Sequence, residues 1–220
     1  TQAQSIFTRL HSNPNYAAST TVGAGLPFID TLKQLRGERQ SSYTIDSILS
    51  GSINYLLTQL EQGSSYTTAL ADAQEKGFLE PDPSDDLEGR DSARKLLILA
   101  RTLGYQLELS DIARIPLVSA GDPTQLKQRL AQAWGENALI RYVGQIDSNG
   151  HCRLEPKVLP RNSALCVQSC HNALQVHAQN QPSTCLTGPG AGPVVTAQGV
   201  LRDILQIATQ LREKHQTQSV

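Results

Sequence analysis

The chain has 220 residues, with 19 basic residues against 20 acidic ones and a net charge of −1. That length holds one large domain or two small ones, and the balanced charge leaves no basic surface for nucleic acid. Its apolar runs fall far short of the roughly 20 residues that cross a bilayer.

Taken in chain order, residues 5–12 read as a short helix, with Ile6, Phe7 and Leu10 on one side. Residues 16–22 read as a strand running into the loop Gly23-Ala24-Gly25. Pro27 suits the first turn of a helix that carries Phe28, Ile29, Leu32 and Leu35 at helical spacing. Residues 42–49 alternate as a strand, Ser50-Gly51-Ser52 breaks it, and residues 53–60 resume as a helix. Ser65 or Thr67 is a cap for a helix over 68–76, which Gly77 ends. A long helix is expected over 86–104, with Asp85 or Asp86 as its cap, and another over 123–134. Strands follow near 139–145, 152–158, 173–178 and 183–186, with Ser148-Asn149-Gly150 as the hairpin turn between the first two. The last helix, over 195–214, carries the apolar stripe Val200, Leu201, Ile204, Leu205, Ala208 and Leu211, and residues 215–220 form a loose polar tail. Helices and strands mix without strict alternation, which predicts an α+β domain on a mixed or antiparallel sheet. Gly188-Pro189-Gly190-Ala191-Gly192 precedes a helix but lacks the spacing of a dinucleotide fingerprint.

The chain contains no methionine, so the expectation is a piece of a longer polypeptide, and Thr1-Gln2-Ala3-Gln4 has neither the basic start nor the apolar core of a signal peptide. Cys152, Cys166, Cys170 and Cys185 all lie in the last third. Cys166-x-x-x-Cys170-His171, with His177 nearby, allows a metal reading. The spacing is not repeated, and the favoured reading is small apolar fillers in a reduced, cytoplasmic protein.

The most informative stretch is LEPDPSDDLEGRDSARK (79–95), with six carboxylates: Glu80, Asp82, Asp85, Asp86, Glu88 and Asp91. A helix start accounts for one or two of them, through capping and the dipole. The two prolines fix the geometry of a run whose charges repel unless cations or a ligand ammonium lie near. On a helix Asp91 and Lys95 share a face that continues through Ile98, Leu99 and Thr102, while Arg90, Arg94 and Arg101 fall on another, solvated side. A lysine held by an aspartate where a polar face turns apolar is suited to holding and releasing a proton.

TVGAGLP (21–27), SILSGSINYLL (47–57), EPDPSDDLEGRDSARKLLILAR (80–101) and GPGAGPVVTAQGV (188–200) stand in the order found in homoserine dehydrogenases, and over nearly its whole length the sequence resembles that family. RYVGQIDSNGHCRL (141–154) is most similar to the C-terminal part of the bifunctional aspartokinase–homoserine dehydrogenases. The resemblance implies a sheet with helices on one face, and NAD- or NADP-dependent reduction of L-aspartate 4-semialdehyde to L-homoserine in a cytoplasmic homodimer. It implies a substrate-binding and dimerisation domain over 1–194 and a helix over 195–214 that returns to a nucleotide-binding domain with no counterpart in this sequence. It implies Lys95 and Asp91 as the proton-transfer pair, and Glu80, Asp86, Gly51 and Ser52 around the amino-acid substrate, Glu80 nearest its ammonium. Gly190 and Gly192 would approach the cofactor. A monovalent cation would sit on the carbonyl oxygens of Val22, Ala24 and Leu26, but the acidic side chain usual three residues before the valine is replaced by Ser19. The rival reading is a non-catalytic dimerisation or amino-acid-binding module, which has no need of Glu80, Asp86, Asp91 and Lys95 together.

Overall fold

The computed structural model describes residues 2–37, 43–118, 122–178 and 182–217. Its centre is a six-stranded sheet in the order β2-β4-β3-β1-β5-β6. The strands are β1 (Tyr43–Ile48), β2 (Ile112–Arg114), β3 (Ala138–Ile146), β4 (Cys152–Pro160), β5 (His171–Ala178) and β6 (Thr184–Pro189). All pairs are antiparallel except β2 with β4. The predicted strand start at Ser42 lies outside the described residues. The short β2 carries too little pattern to announce itself and is held by its register on β4.

The helices are α1 (Gln2–His11), α2 (Phe28–Gly37), α3 (Gly51–Glu61), α4 (Tyr66–Glu75), α5 (Ser84–Leu87), α6 (Arg90–Leu103), α7 (Thr124–Gly135) and α8 (Pro193–Thr217). One sheet face lies under α3, α6 and α7, and α2 packs on α6. Ile45, Ile140, Ile146 and Leu174 from the strands meet Leu56, Leu57, Leu96 and Leu99 from the helices in one dry core. On the other face a smaller apolar cluster is buried, Ile48, Val143, Leu165 and Ala173.

Three expectations need correction. Residues 16–22 are not a strand: Ser19–Thr21 is a 3-10 turn, and the Ser19 amide and hydroxyl both donate to the Asp203 carboxylate, at 3.0 and 2.6 Å. A long-range anchor overrides the local β preference. The helix expected over 86–104 is two helices, broken at Gly89, whose φ is +72°. A Cβ there would lie 2.0 Å from the Tyr142 hydroxyl oxygen, so only glycine makes this bend. The bend frees Asp85 and Asp86 from capping: α5 starts after Pro83 without a side-chain cap, and Asp82 accepts from the Ser84 amide at 3.0 Å. Third, Arg101 is buried and not solvated. Its guanidinium donates to the Leu107 carbonyl at 2.7 Å and pairs with Glu108.

Helix α8 packs by its inner side against the 3-10 turn. Arg202 donates to the Gly25 carbonyl at 3.1 Å, and a Cβ on Gly199 would come within 2.5 Å of Thr20. The apolar stripe points the other way: Leu201, Ile204 and Leu205 are 56%, 57% and 58% exposed. Among the described residues no helix is long and apolar enough to cross a membrane.

Candidate active site

The site forms where β1 hands over to α3. Ser50 leaves the strand with extended backbone and caps α3 by accepting from the Ile53 amide at 3.1 Å. At Gly51 a Cβ would lie 2.8 Å from the Cys170 carbonyl oxygen, so the absence of a side chain lets the two backbones close up. Ser52 then stands in the first helical turn and donates to Asp86 Oδ1 at 2.7 Å, with the Ser50 hydroxyl 2.9 Å from its own.

The bend at Gly89 sets Asp86 on α5 beside Asp91 and Lys95 on α6. Lys95 Nζ lies 2.7 Å from Asp91 Oδ2 and donates to the Leu49 carbonyl at 3.2 Å. A lysine ammonium has three N–H donors. Two are used, and the third has no protein acceptor among the described residues. Burial pushes the Asp86 carboxyl up, and the Asp91 charge adds to this; the Ser52 hydroxyl and the Lys95 charge oppose it. The result is a lysine with an open donor, paired with Asp91 and acting by its charge on Asp86, whose carboxyl resists ionisation.

The other acids of the stretch have ordinary partners. Asp85 takes Arg94 at 3.0 Å as well as Arg90, and Glu88 also takes Arg90, so their carboxylates are spent on the helix surface. Glu80 is exposed. Its carbonyl accepts from Gln74 at 3.2 Å, and among the described residues its carboxylate has no hydrogen bond or ion pair to the Asp86–Lys95 group.

Gly190 and Gly192 follow β6 at the start of α8. The Gly190 amide donates to the Cys170 carbonyl at 3.1 Å, the same oxygen that excludes a side chain at Gly51. Gly192 is exposed at φ +123°, a conformation open to glycine alone, and its carbonyl accepts from the Thr196 amide at the start of α8. The segment of Val22, Ala24 and Leu26 is tightly wound: Ala24 has φ +53° and the Leu26 amide donates to the Gly23 carbonyl at 2.9 Å. Among the described residues no three His, Cys, Asp or Glu side chains gather as a metal set. The Cys170 carbonyl accepts from the Gly190 amide and its sulfur from the Ser169 hydroxyl, while His177 pairs with Asp46 on the open sheet face.

The Leu49 carbonyl, Ser50 and Asn172 join the site without having been singled out in the sequence. Ser50 was legible, since a serine three residues before Ile53 at a strand–helix junction has the N-cap pattern. A main-chain oxygen and an asparagine in a distant strand leave no local signal.

Asp86→Asn is expected to leave the melting temperature near neutral pH unchanged or raised. For an acid with a raised folded pKa, the unfolded chain ionises first, so stability falls as pH climbs from the unfolded towards the folded value. The asparagine variant escapes this loss, and its advantage disappears in acid, where both states are protonated. Thermal melts across pH check this, and a lowered midpoint at neutral pH with none in acid would contradict it.

The structure thus defines an α+β domain that carries an aspartate-held lysine at the junction of a sheet and two helices. The sequence profile of homoserine dehydrogenase matches residues 27–205, and the chain belongs to that family. The bifunctional aspartokinase/homoserine dehydrogenase of Haemophilus influenzae is 39% identical over 214 residues, which cover 89% of this chain and 26% of that protein. The Escherichia coli bifunctional aspartokinase/homoserine dehydrogenase 2 is 33% identical over 211 residues, 88% of this chain and 26% of its own. The chain thus spans about a quarter of the relatives it matches. Among solved structures, a putative homoserine dehydrogenase from Archaeoglobus fulgidus superposes with a TM-score of 0.77 at 27% identity, over 87% of this chain and 58% of that one. A hyperthermophilic archaeal homoserine dehydrogenase in complex with NADPH superposes with a TM-score of 0.70 at 29% identity, over 87% and 55%.

Proposed function

We propose that this chain is the substrate-binding and catalytic portion of a cytoplasmic, nicotinamide-dependent homoserine dehydrogenase, reducing L-aspartate 4-semialdehyde to L-homoserine. One observation carries the reading: the Lys95 ammonium is fixed by Asp91 and the Leu49 carbonyl with its third N–H open. Four free cysteines agree with a reducing compartment.

A nicotinamide cofactor, when bound, would supply the hydride for the aldehyde carbon. NADPH or NADH would be held mainly by a separate nucleotide-binding domain and approached from this side by the segment of Gly190 and Gly192. As the carbonyl oxygen gains charge, the open N–H of Lys95 donates to it, directly or through one water, and its proton completes the alcohol. Asp91 keeps the lysine oriented. Asp86, with Gly51 and Ser52, lines the amino-acid end of the substrate. Glu80 takes the substrate ammonium, and its exposure fits a group whose partner arrives with the ligand. In the enzyme completed by a nucleotide-binding domain, Glu80→Gln is expected to weaken homoserine several-fold while leaving NADPH binding unchanged, through loss of a charge-assisted bond. Isothermal titration measures both, and equal losses for the two ligands would overturn the assignment.

Residues 1–194 act as the substrate and dimerisation domain, and the helix from 195 returns to the nucleotide-binding domain with its exposed Leu201, Ile204 and Leu205. The sheet face that carries the smaller cluster around Ile48 and Val143 is where a second copy docks. Expressed by itself the chain is expected to fold and dimerise but to turn nothing over. Light scattering and cofactor absorbance report on both parts, and a monomer, or measurable turnover, would each refute one. The cation site at Val22, Ala24 and Leu26 receives no charge from position 19, since Ser19 spends its hydroxyl proton on Asp203. We assign it weak occupancy and route no step of the reaction through it.

A further inference from the structure

We propose that Asn172 is a positioning residue for Lys95: it acts through the Leu49 carbonyl and ties that oxygen to the glycine segment at the end of β6. The inference rests on the reading of Lys95 above. Asn172 lies on β5 opposite Gly188 of β6 and is 1% exposed. A buried primary amide is costly unless its donors and acceptor are matched. Here Nδ2 donates to the Leu49 carbonyl over a long 3.5 Å, and among the described residues Oδ1 has no hydrogen-bond partner. Such an amide contributes little to the fold through its own bonds. Its contacts lead to the site from two sides.

On one side is the Leu49 oxygen, the same atom that accepts from Lys95 at 3.2 Å. A carbonyl oxygen has two lone pairs. With Asn172 on one, the direction of the other is set, and the lysine must come to it from the Asp91 side. Leu49 itself lies between the end of β1 and the Ser50 cap of α3, in no regular element that would orient its carbonyl. On the other side is Gly190. A Cβ built there would lie 2.1 Å from Asn172 Cγ and 2.2 Å from Oδ1, so the backbone of the segment rests flat on the amide. Displacing that segment shifts Asn172 and, through Leu49, the ammonium.

Steady-state kinetics of the complete enzyme test this with Asn172→Ala, Asn172→Asp and Lys95→Ala in one series. For Asn172→Ala we expect kcat to fall about tenfold or more with both KM values within about twofold, the signature of a group acting in the transition state only. Asn172→Asp keeps the shape, but its ionised form has no proton to donate to the Leu49 carbonyl. It is expected to lower kcat increasingly as pH rises and the new carboxyl ionises, because the Leu49 oxygen then loses its second donor. Loss of kcat together with raised KM and an unmoved pH profile would show a merely structural role and overturn the proposal. So would a folded Asn172→Asp enzyme with native kinetics at every pH, which decides the matter if Asn172→Ala does not fold. Lys95→Ala separates the two levels. If it is inactive while Asn172→Asp is native, this inference alone fails; if it stays active, the reading of Lys95 fails first.

Discussion

Lys95→Ala in the complete enzyme is expected to cut kcat by at least about 10²-fold, the lower end of what proton transfer by a positioned side chain supplies. Thermal stability is expected to change little. Lys95 is only partly buried, and its bonds to Asp91 and the Leu49 carbonyl lie at the rim of the core. Alanine keeps helix α6, since it is the best helix former and the residues that bury the helix, Leu96, Leu99 and Ala100, are untouched. The variant leaves Asp86 on Ser52, untouched by the substitution, so substrate affinity is expected to move less than kcat. Rate and melting temperature measured on one preparation decide the point. Retention of more than about a third of kcat would remove the lysine from the mechanism.

The largest stability effect is expected at Glu61→Ala. Arg141 is wholly buried, and its guanidinium meets Glu61 at 2.5 and 3.3 Å, the Ile140 carbonyl at 2.7 Å and the Val167 carbonyl at 3.1 Å. Removing the carboxylate strands a charge in the interior, which costs about 3–5 kcal/mol. Replacing both residues with leucine is expected to cost far less, because the expense lies in the uncompensated ion and not in the lost pair. Denaturant unfolding of the two variants shows the difference as a shift in midpoint at similar slope. A loss below about 1 kcal/mol for Glu61→Ala would mean that water or relaxation reaches Arg141. The pair also bears on the site. Arg141 and Asn54 both bind the Val167 carbonyl, and Asn54 binds that of Ser169, fixing the segment whose Cys170 carbonyl packs on Gly51.

The acidic stretch shows where sequence reasoning stops. Asp91 and Lys95 were legible as a pair because i, i+4 spacing holds on any helix, and they meet at 2.7 Å. The partition of the remaining acids was not. Asp82, Asp85 and Asp86 stand within five residues, yet one accepts from a backbone amide, one is spent on two arginines and one turns inward to Ser52. The turn at Gly89 decides this, and the reason for it is Tyr142, more than fifty residues away. Arg101 was misread for the same reason. Its position on the helix follows from periodicity, but the Leu107 carbonyl that takes its guanidinium is brought there by the chain reversal at Gly104.

What the sequence determined by itself is whatever depends on neighbours within a turn or two. Periodicity and capping placed α2, α3, α4, α7 and α8, alternation placed β1 and β3 to β6, and i, i+4 spacing paired Asp91 with Lys95. Tertiary structure alone decided what depends on groups far apart in the chain. It turned residues 19–21 into a 3-10 turn through Asp203, split the helix at Gly89 against Tyr142, buried Arg101, and brought the Leu49 carbonyl and Asn172 to Lys95. The physical reason is the range of the forces. Backbone propensity and side-chain spacing act over one or two turns, whereas a buried amide, carboxylate or guanidinium must find a partner wherever the packed chain offers one, and no local pattern records where that is.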